Sequence, residues 1–135
     1  MEQNREVTQS LVTTFLQKVG GQDADAIASL FSDIVDWNVP GNPALPWIGA
    51  RTEKPQVADY FRTMWGQFAG PGSAVVHSIL VDGSDAVVLA TIANSSASTG
   101  RAFETPVAMH FHVEANRITK LHLYEDSWTV NKAFA

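Results

Sequence analysis

The apolar residues of this 135-residue chain change their prevailing spacing near residue 72. Before that point, one alternating stretch at 35–39 aside, they recur every three or four positions; after it they alternate. Val7, Leu11, Val12, Phe15, Leu16 and Val19 fall on one face of a 3.6-residue period and predict a first helix. Gly20-Gly21 ends it, because glycine takes the left-handed conformation past a helix end. Asp23 caps a shorter second helix bearing Ile27, Leu30 and Phe31. Val35, Trp37 and Val39 then alternate with Asp36 and Asn38, the period of a strand. Pro40-Gly41 breaks that strand, and a proline-rich loop leads to Trp47. Pro55 suits the first turn of a third helix, whose stripe is Val57, Tyr60, Phe61, Met64, Trp65 and Phe68. Ala69-Gly70-Pro71-Gly72 stops it.

From Ser73 the pattern is that of strands. Residues 73–81 and 86–95 flank Asp82-Gly83-Ser84-Asp85, a hairpin signal. Residues 101–113 and 117–126 form a second pair about Ala115-Asn116, with Glu114 opposite Arg117. The last nine residues predict a short tail. Helices first and antiparallel strands later argue an α+β domain spanning residues 1–135, a sheet with helices on one face.

Composition narrows the partners. Net charge is −5 with no basic run, which argues against nucleic acid, since phosphate binding needs clustered Lys and Arg. The chain has no cysteine, so disulfides and thiolate metal sites are excluded. The polar, acid-bearing N-terminus does not resemble a signal peptide, and no apolar run is long enough to span a bilayer. The expectation is a soluble cytoplasmic protein.

Three stretches carry a resemblance: GQDADAIASLFSDIVDWNVPG, PWIGARTEKPQVADYF and GRAFETPVAMHFHVEANRITKLHLYED. In this order and spacing the chain resembles the SnoaL-like and ketosteroid-isomerase-related proteins, which share the nuclear-transport-factor-2-like fold. The resemblance covers nearly the whole chain. It implies a cone, a curved mixed or antiparallel sheet wrapped around three N-terminal helices. It also implies a pocket at the open end for a small hydrophobic molecule, and a homodimer through the outer face of the sheet. Steroid isomerases of this kind use a carboxylate base, a tyrosine and a protonated aspartic acid. By similarity those positions fall on Asn38, Phe15 and Met109, none of which has the required group. That mechanism is therefore not expected. Polyketide cyclases of the SnoaL type end with an acid/base aspartate on the last strand, a position matched by Asp126. They also have a histidine in the preceding strand, for which His112 lies at a similar separation.

A plain two-residue turn at Ala115-Asn116 sets Met109 opposite His122, Phe111 opposite Lys120 and Val107 opposite Tyr124. Cross-strand partners share a face. The expected constellation is then Asp126, His122 and Asn38 as chemical groups, with Tyr124 beside them. Phe15, Trp37, Phe61, Trp65, Met109 and Phe111 would form an apolar wall. Because Trp37 and Asn38 alternate, only one can face the pocket in a regular strand, and the resemblance favours Asn38. A tryptophan buries about 150–250 Å², so Trp47 should fold over the pocket mouth or pack on a neighbour. His110 and His112 would point outward; with no third ligand in sight, no metal site is predicted. The reading is a cofactor-independent isomerase, cyclase or hydratase acting on an apolar carbonyl or polyketide-like compound. The alternatives are a non-catalytic binder of a small hydrophobic ligand and a dimeric assembly module with a filled cone.

Overall fold

The computed structural model describes residues 2–135, with side chains from residue 4 onward. The elements are α1 (Glu2–Gly20), α2 (Ala24–Ala28), β1 (Phe31–Val39), β2 (Gly49–Glu53), α3 (Lys54–Gln67), β3 (Ser73–Asp82), β4 (Asp85–Ser95), β5 (Ala102–Glu114), β6 (Arg117–Glu125) and α4 (Ser127–Phe134). Local chemistry fixes several boundaries. Asp23 caps α2 by accepting from the Ala26 amide at 3.1 Å. The Gln56 side chain reaches back to the amides of Thr52 and Glu53 at 2.9 and 3.0 Å, satisfying donors that the first turn of α3 cannot. Residues 127–135 are not a plain tail: α4 forms there, capped by Asp126 and burying Val130 and Ala133.

The six strands make one mixed sheet in the order β2-β1-β6-β5-β4-β3. β1 runs parallel to β6, and the other neighbours are antiparallel. At the β3–β4 hairpin Asp82 pairs with Asp85 around Gly83, whose φ of 58° glycine adopts without strain. Ala115 and Asn116 turn β5 into β6 with φ of 50° and 61°, the twist such hairpins favour.

The register beyond that turn corrects the expected one. Glu114 pairs with Arg117 and Val113 with Ile118, but His112 pairs with Lys120, leaving Thr119 as an extra residue on β6. From there Phe111 lies opposite Leu121, His110 opposite His122, Met109 opposite Leu123 and Val107 opposite Glu125. The physical reason is burial. A one-residue slip exchanges the two faces of a strand. The bulge keeps Ile118, Leu121 and Leu123 in the core, where they are 0%, 1% and 9% exposed.

Helices cover the concave face of the sheet. Phe15 of α1 meets Phe31, Phe61 and Phe111 with ring centres 6.2, 6.1 and 5.1 Å away. A second aromatic group joins Trp47, Phe68, Phe103 and Phe134, tying the 40–48 loop and α4 to β5. The convex face stays open: Val75, Leu80, Leu89 and Tyr124 are exposed there.

Candidate functional site

The inner face of β6 is apolar except for one titratable group at its C-terminal end. Glu125 ends β6 on the same face as Leu121 and Leu123, opposite Val107. Burial pushes its carboxyl up to about 7, and the neighbouring Asp126 charge adds to the shift. A half-buried acid poised near neutrality exchanges protons in both directions.

Tyr60 of α3 is 3% exposed. Its ring stands edge-on to Trp37 at 4.8 Å and to Phe61 at 4.9 Å. Burial first, and the Glu125 carboxylate second, push its phenol far above the usual range, so it is a hydrogen-bond donor at any working pH. Arg51 opposes that shift. It pairs with Trp37 across β1 and β2, hence on the same face, and its guanidinium lies over the Tyr60 ring, 5.8 Å from the centre. Its Nη1 donates to the Gln56 carbonyl at 3.2 Å. The Trp37 indole Nε1 is buried without a hydrogen-bond partner. The concave face thus presents a proton carrier, a phenol, an indole N–H and a guanidinium. Together they can move a proton and donate to a developing oxyanion.

Of the expected wall, Phe15, Trp37, Phe61, Met109 and Phe111 are buried on the concave side, and Trp65 packs on Phe61 at 5.3 Å. They fill one another's space rather than line an open cone. A depression of about 500 Å³ lies between Gly72, Asn94 and Phe103, and one of about 490 Å³ between Thr8, Ser84 and Asn116. Glu125, Tyr60 and Trp37 line neither.

The expected chemical groups lie elsewhere. His122 and Tyr124 sit on the convex face, because the Thr119 bulge turns them there. His122 Nε2 is 2.7 Å from Asp36, and its Nδ1 is 3.4 Å from the Tyr124 hydroxyl. Asn38 pairs with His122 and shares that outer face, while Trp37 turns inward, the reverse of the expectation. Asp126 is exposed and caps α4, accepting from the Thr129 amide and hydroxyl at 3.1 and 2.8 Å. Trp47 packs against Phe134 at 5.0 Å, one of its two expected fates. His110 and His112 face outward, 3.1 and 3.0 Å from Asp85. The sequence carried one signal for Glu125: Ile118 and Leu121, both apolar, are three apart, which a regular strand cannot bury on one face. Tyr60 stood in the apolar stripe of α3. Nothing local marked Arg51.

The SnoaL-like domain family matches residues 12–121. No curated protein matches. Among solved structures, a nuclear-transport-factor-2-like protein from Burkholderia pseudomallei superposes with a TM-score of 0.86 at 16% identity, over 94% of this chain and 96% of that one. A protein assigned as a SnoaL-like polyketide cyclase from Jannaschia gives 0.81 at 14% identity, over 96% and 92%. TerC, co-crystallised with polyporic acid, gives 0.83 at 12% identity, over 94% and 97%. At such identities the likeness is one of fold.

Proposed function

The chain belongs to the SnoaL-like domain family, and from that premise we propose that it is a cofactor-independent acid/base enzyme acting on a small apolar carbonyl compound. Glu125 is the proton carrier. The observation that carries the reading is its placement: a carboxyl at the inner end of β6, on the face of Leu121 and Leu123 and opposite Val107, held near neutrality by burial. An ionised Glu125 takes a proton from the carbon beside the carbonyl. The C–H electron pair becomes the C=C bond of an enolate, whose oxygen accepts from Tyr60. The acid so formed returns the proton to another carbon, or the enolate carbon attacks an internal carbonyl, which then takes the proton. The assigned cyclase and the polyporic acid complex, on the same fold, are in keeping with a small carbonyl substrate. The test is exchange of such protons for deuterium across a panel of ketones in heavy water. Glu125→Gln should slow exchange about 10²–10⁴-fold with the fold intact. Unchanged exchange in that variant would overturn the proposal; binding with no exchange by the native chain would favour a non-catalytic binder.

The convex face supports a second proposal, a homodimer. Val75 is 57% exposed, Leu80 56%, Leu89 38% and Tyr124 51%, and a symmetric pair would cover all four with one patch used twice.

A further inference from the structure

We infer that Arg51 makes the concave-face site one for a ligand bearing an anionic oxygen on an apolar body, either a carboxylate or the enolate of an acidic dicarbonyl. The inference rests on the site proposed above and specifies what it binds.

The lining is one-sided in its hydrogen bonding. Tyr60 presents a hydroxyl that bonds to no protein group among the described residues, and Trp37 presents a buried, unpartnered N–H. Arg51 adds a guanidinium, which has five N–H donors, and its only protein hydrogen bond among the described residues is the one to the Gln56 carbonyl. No carboxylate lies within ion-pair distance of it among the described residues. A half-buried cation normally finds an anion, because desolvating an unpaired charge is expensive.

Glu125 is not that anion. It couples to Tyr60 as Arg51 does, but with opposite sign, and its own carboxyl is governed by burial and Asp126. The two charged groups flank Tyr60 without forming a pair, so the guanidinium is left for a ligand. Planar carboxylate and enolate oxygens match its fork, and charge-assisted bonds of that kind are the strong ones. The Tyr60 ring under the guanidinium and Trp37, its cross-strand partner, give Arg51 an aromatic flank for the rest of the molecule.

The probes are 2-naphthoate and 2-acetonaphthone, nearly equal in shape and differing in charge, titrated by calorimetry at pH 6. The native chain should bind the acid about 10- to 100-fold more tightly than the ketone, the range of a hydrogen bond to a charged group. Arg51→Met should abolish the preference by weakening the acid alone, and Arg51→Lys should restore part of it. The preference should survive Glu125→Gln. Equal affinities in the native chain, a preference that persists in Arg51→Met, or no binding of either probe at millimolar concentration would overturn the inference. Its failure is separable from that of the acid/base reading. Anion preference without ketone exchange sinks only the chemistry; exchange without preference sinks only the anion.

Discussion

Glu125 and Asp126 are consecutive in the chain and opposite in environment. Glu125 closes β6 on the concave side, where burial pushes its carboxyl up to about 7. Asp126 is exposed, and the hydroxyl and amide of Thr129 hold its carboxyl below the usual carboxylate range. The junction is pinned from below, since the Asp126 amide donates to the buried Thr105 hydroxyl at 3.0 Å. One peptide unit therefore separates an acid that shares its proton from one that does not.

The first expectation concerns stability against pH. The Glu125 carboxyl rises from an ordinary 4.5 to about 7 on folding. A raised acid favours the native state most below the unfolded value, and that contribution disappears as pH climbs through the folded one. Between pH 4.5 and 7 the protein should lose on the order of 3 kcal/mol from this group, at about 1.4 kcal/mol per pH unit. Glu125→Gln should flatten the decline. Melting curves of both proteins at pH 5 and 8 check this; parallel pH dependences would contradict it.

Asp126→Asn should keep the cap of α4, because asparagine caps as well as aspartate. It removes the negative charge beside Glu125 and should lower that group's apparent pKa. The acidic limb of the pH–rate profile should move to lower pH. A profile that does not move would mean Asp126 exerts no field on Glu125.

Tyr60→Phe separates chemistry from packing. The hydroxyl bonds to no protein group among the described residues, so the melting temperature should stay within a few degrees of native. Loss of a transition-state donor should lower kcat about 10²–10³-fold. Equal losses of stability and activity would make the hydroxyl structural.

On the convex face, burial opposes ionisation of Asp85, but hydrogen bonds from His112 and His110 outweigh it and lower its carboxyl. The Asp85 bond in turn raises His112. Asp85 contributes stability above its unfolded value of 3.8 and loses it as pH falls through its folded one. His112 contributes below 6.5 and loses it as pH rises through its raised folded value. Asp85→Asn should therefore lower the melting temperature at pH 5.5 more than at pH 9. A uniform drop would point to lost packing.

Leu89→Asp should convert a dimer to a folded monomer in sedimentation, because it buries a charge at the centre of the outer patch. A native protein already monomeric at tens of micromolar removes the premise.

Much of the architecture was legible because burial is one-sided. The stripes of α1 and α3 and the alternation in β4 and β5 report directly which face meets the core. Two elements were not. Gly49–Glu53 has no apolar alternation and becomes β2 only by pairing with β1. Ser127–Phe134 is too short to show a helical period and forms on an aspartate cap with two buried residues. The site was harder to read because it depends on relations between segments. Placing Glu125 inward needs the bulge, Arg51 needs the β1–β2 register, and the meeting of both with Tyr60 needs α3 laid across the sheet. Counting outward from a hairpin turn reverses the answer, whereas the Leu121 and Leu123 pattern on β6 alone supports it.

Thr119 is an inserted letter that the β5–β6 ladder skips, so the reading frame of β6 is kept. Drawing it into the ladder opposite His112 would exchange Leu121, Leu123 and Glu125 for Lys120, His122 and Tyr124 on the inner face, with every residue name unchanged, whereas deleting it would leave the present partners in place. The inward placing of Glu125 consequently depends on the ladder skipping position 119, not on the residue being there. A lineage that lost the extra residue would keep its acid inward, opposite the same partner on β5. Alignments that slide a gap freely through this hairpin would then compare acids that never occupied the same side of the sheet.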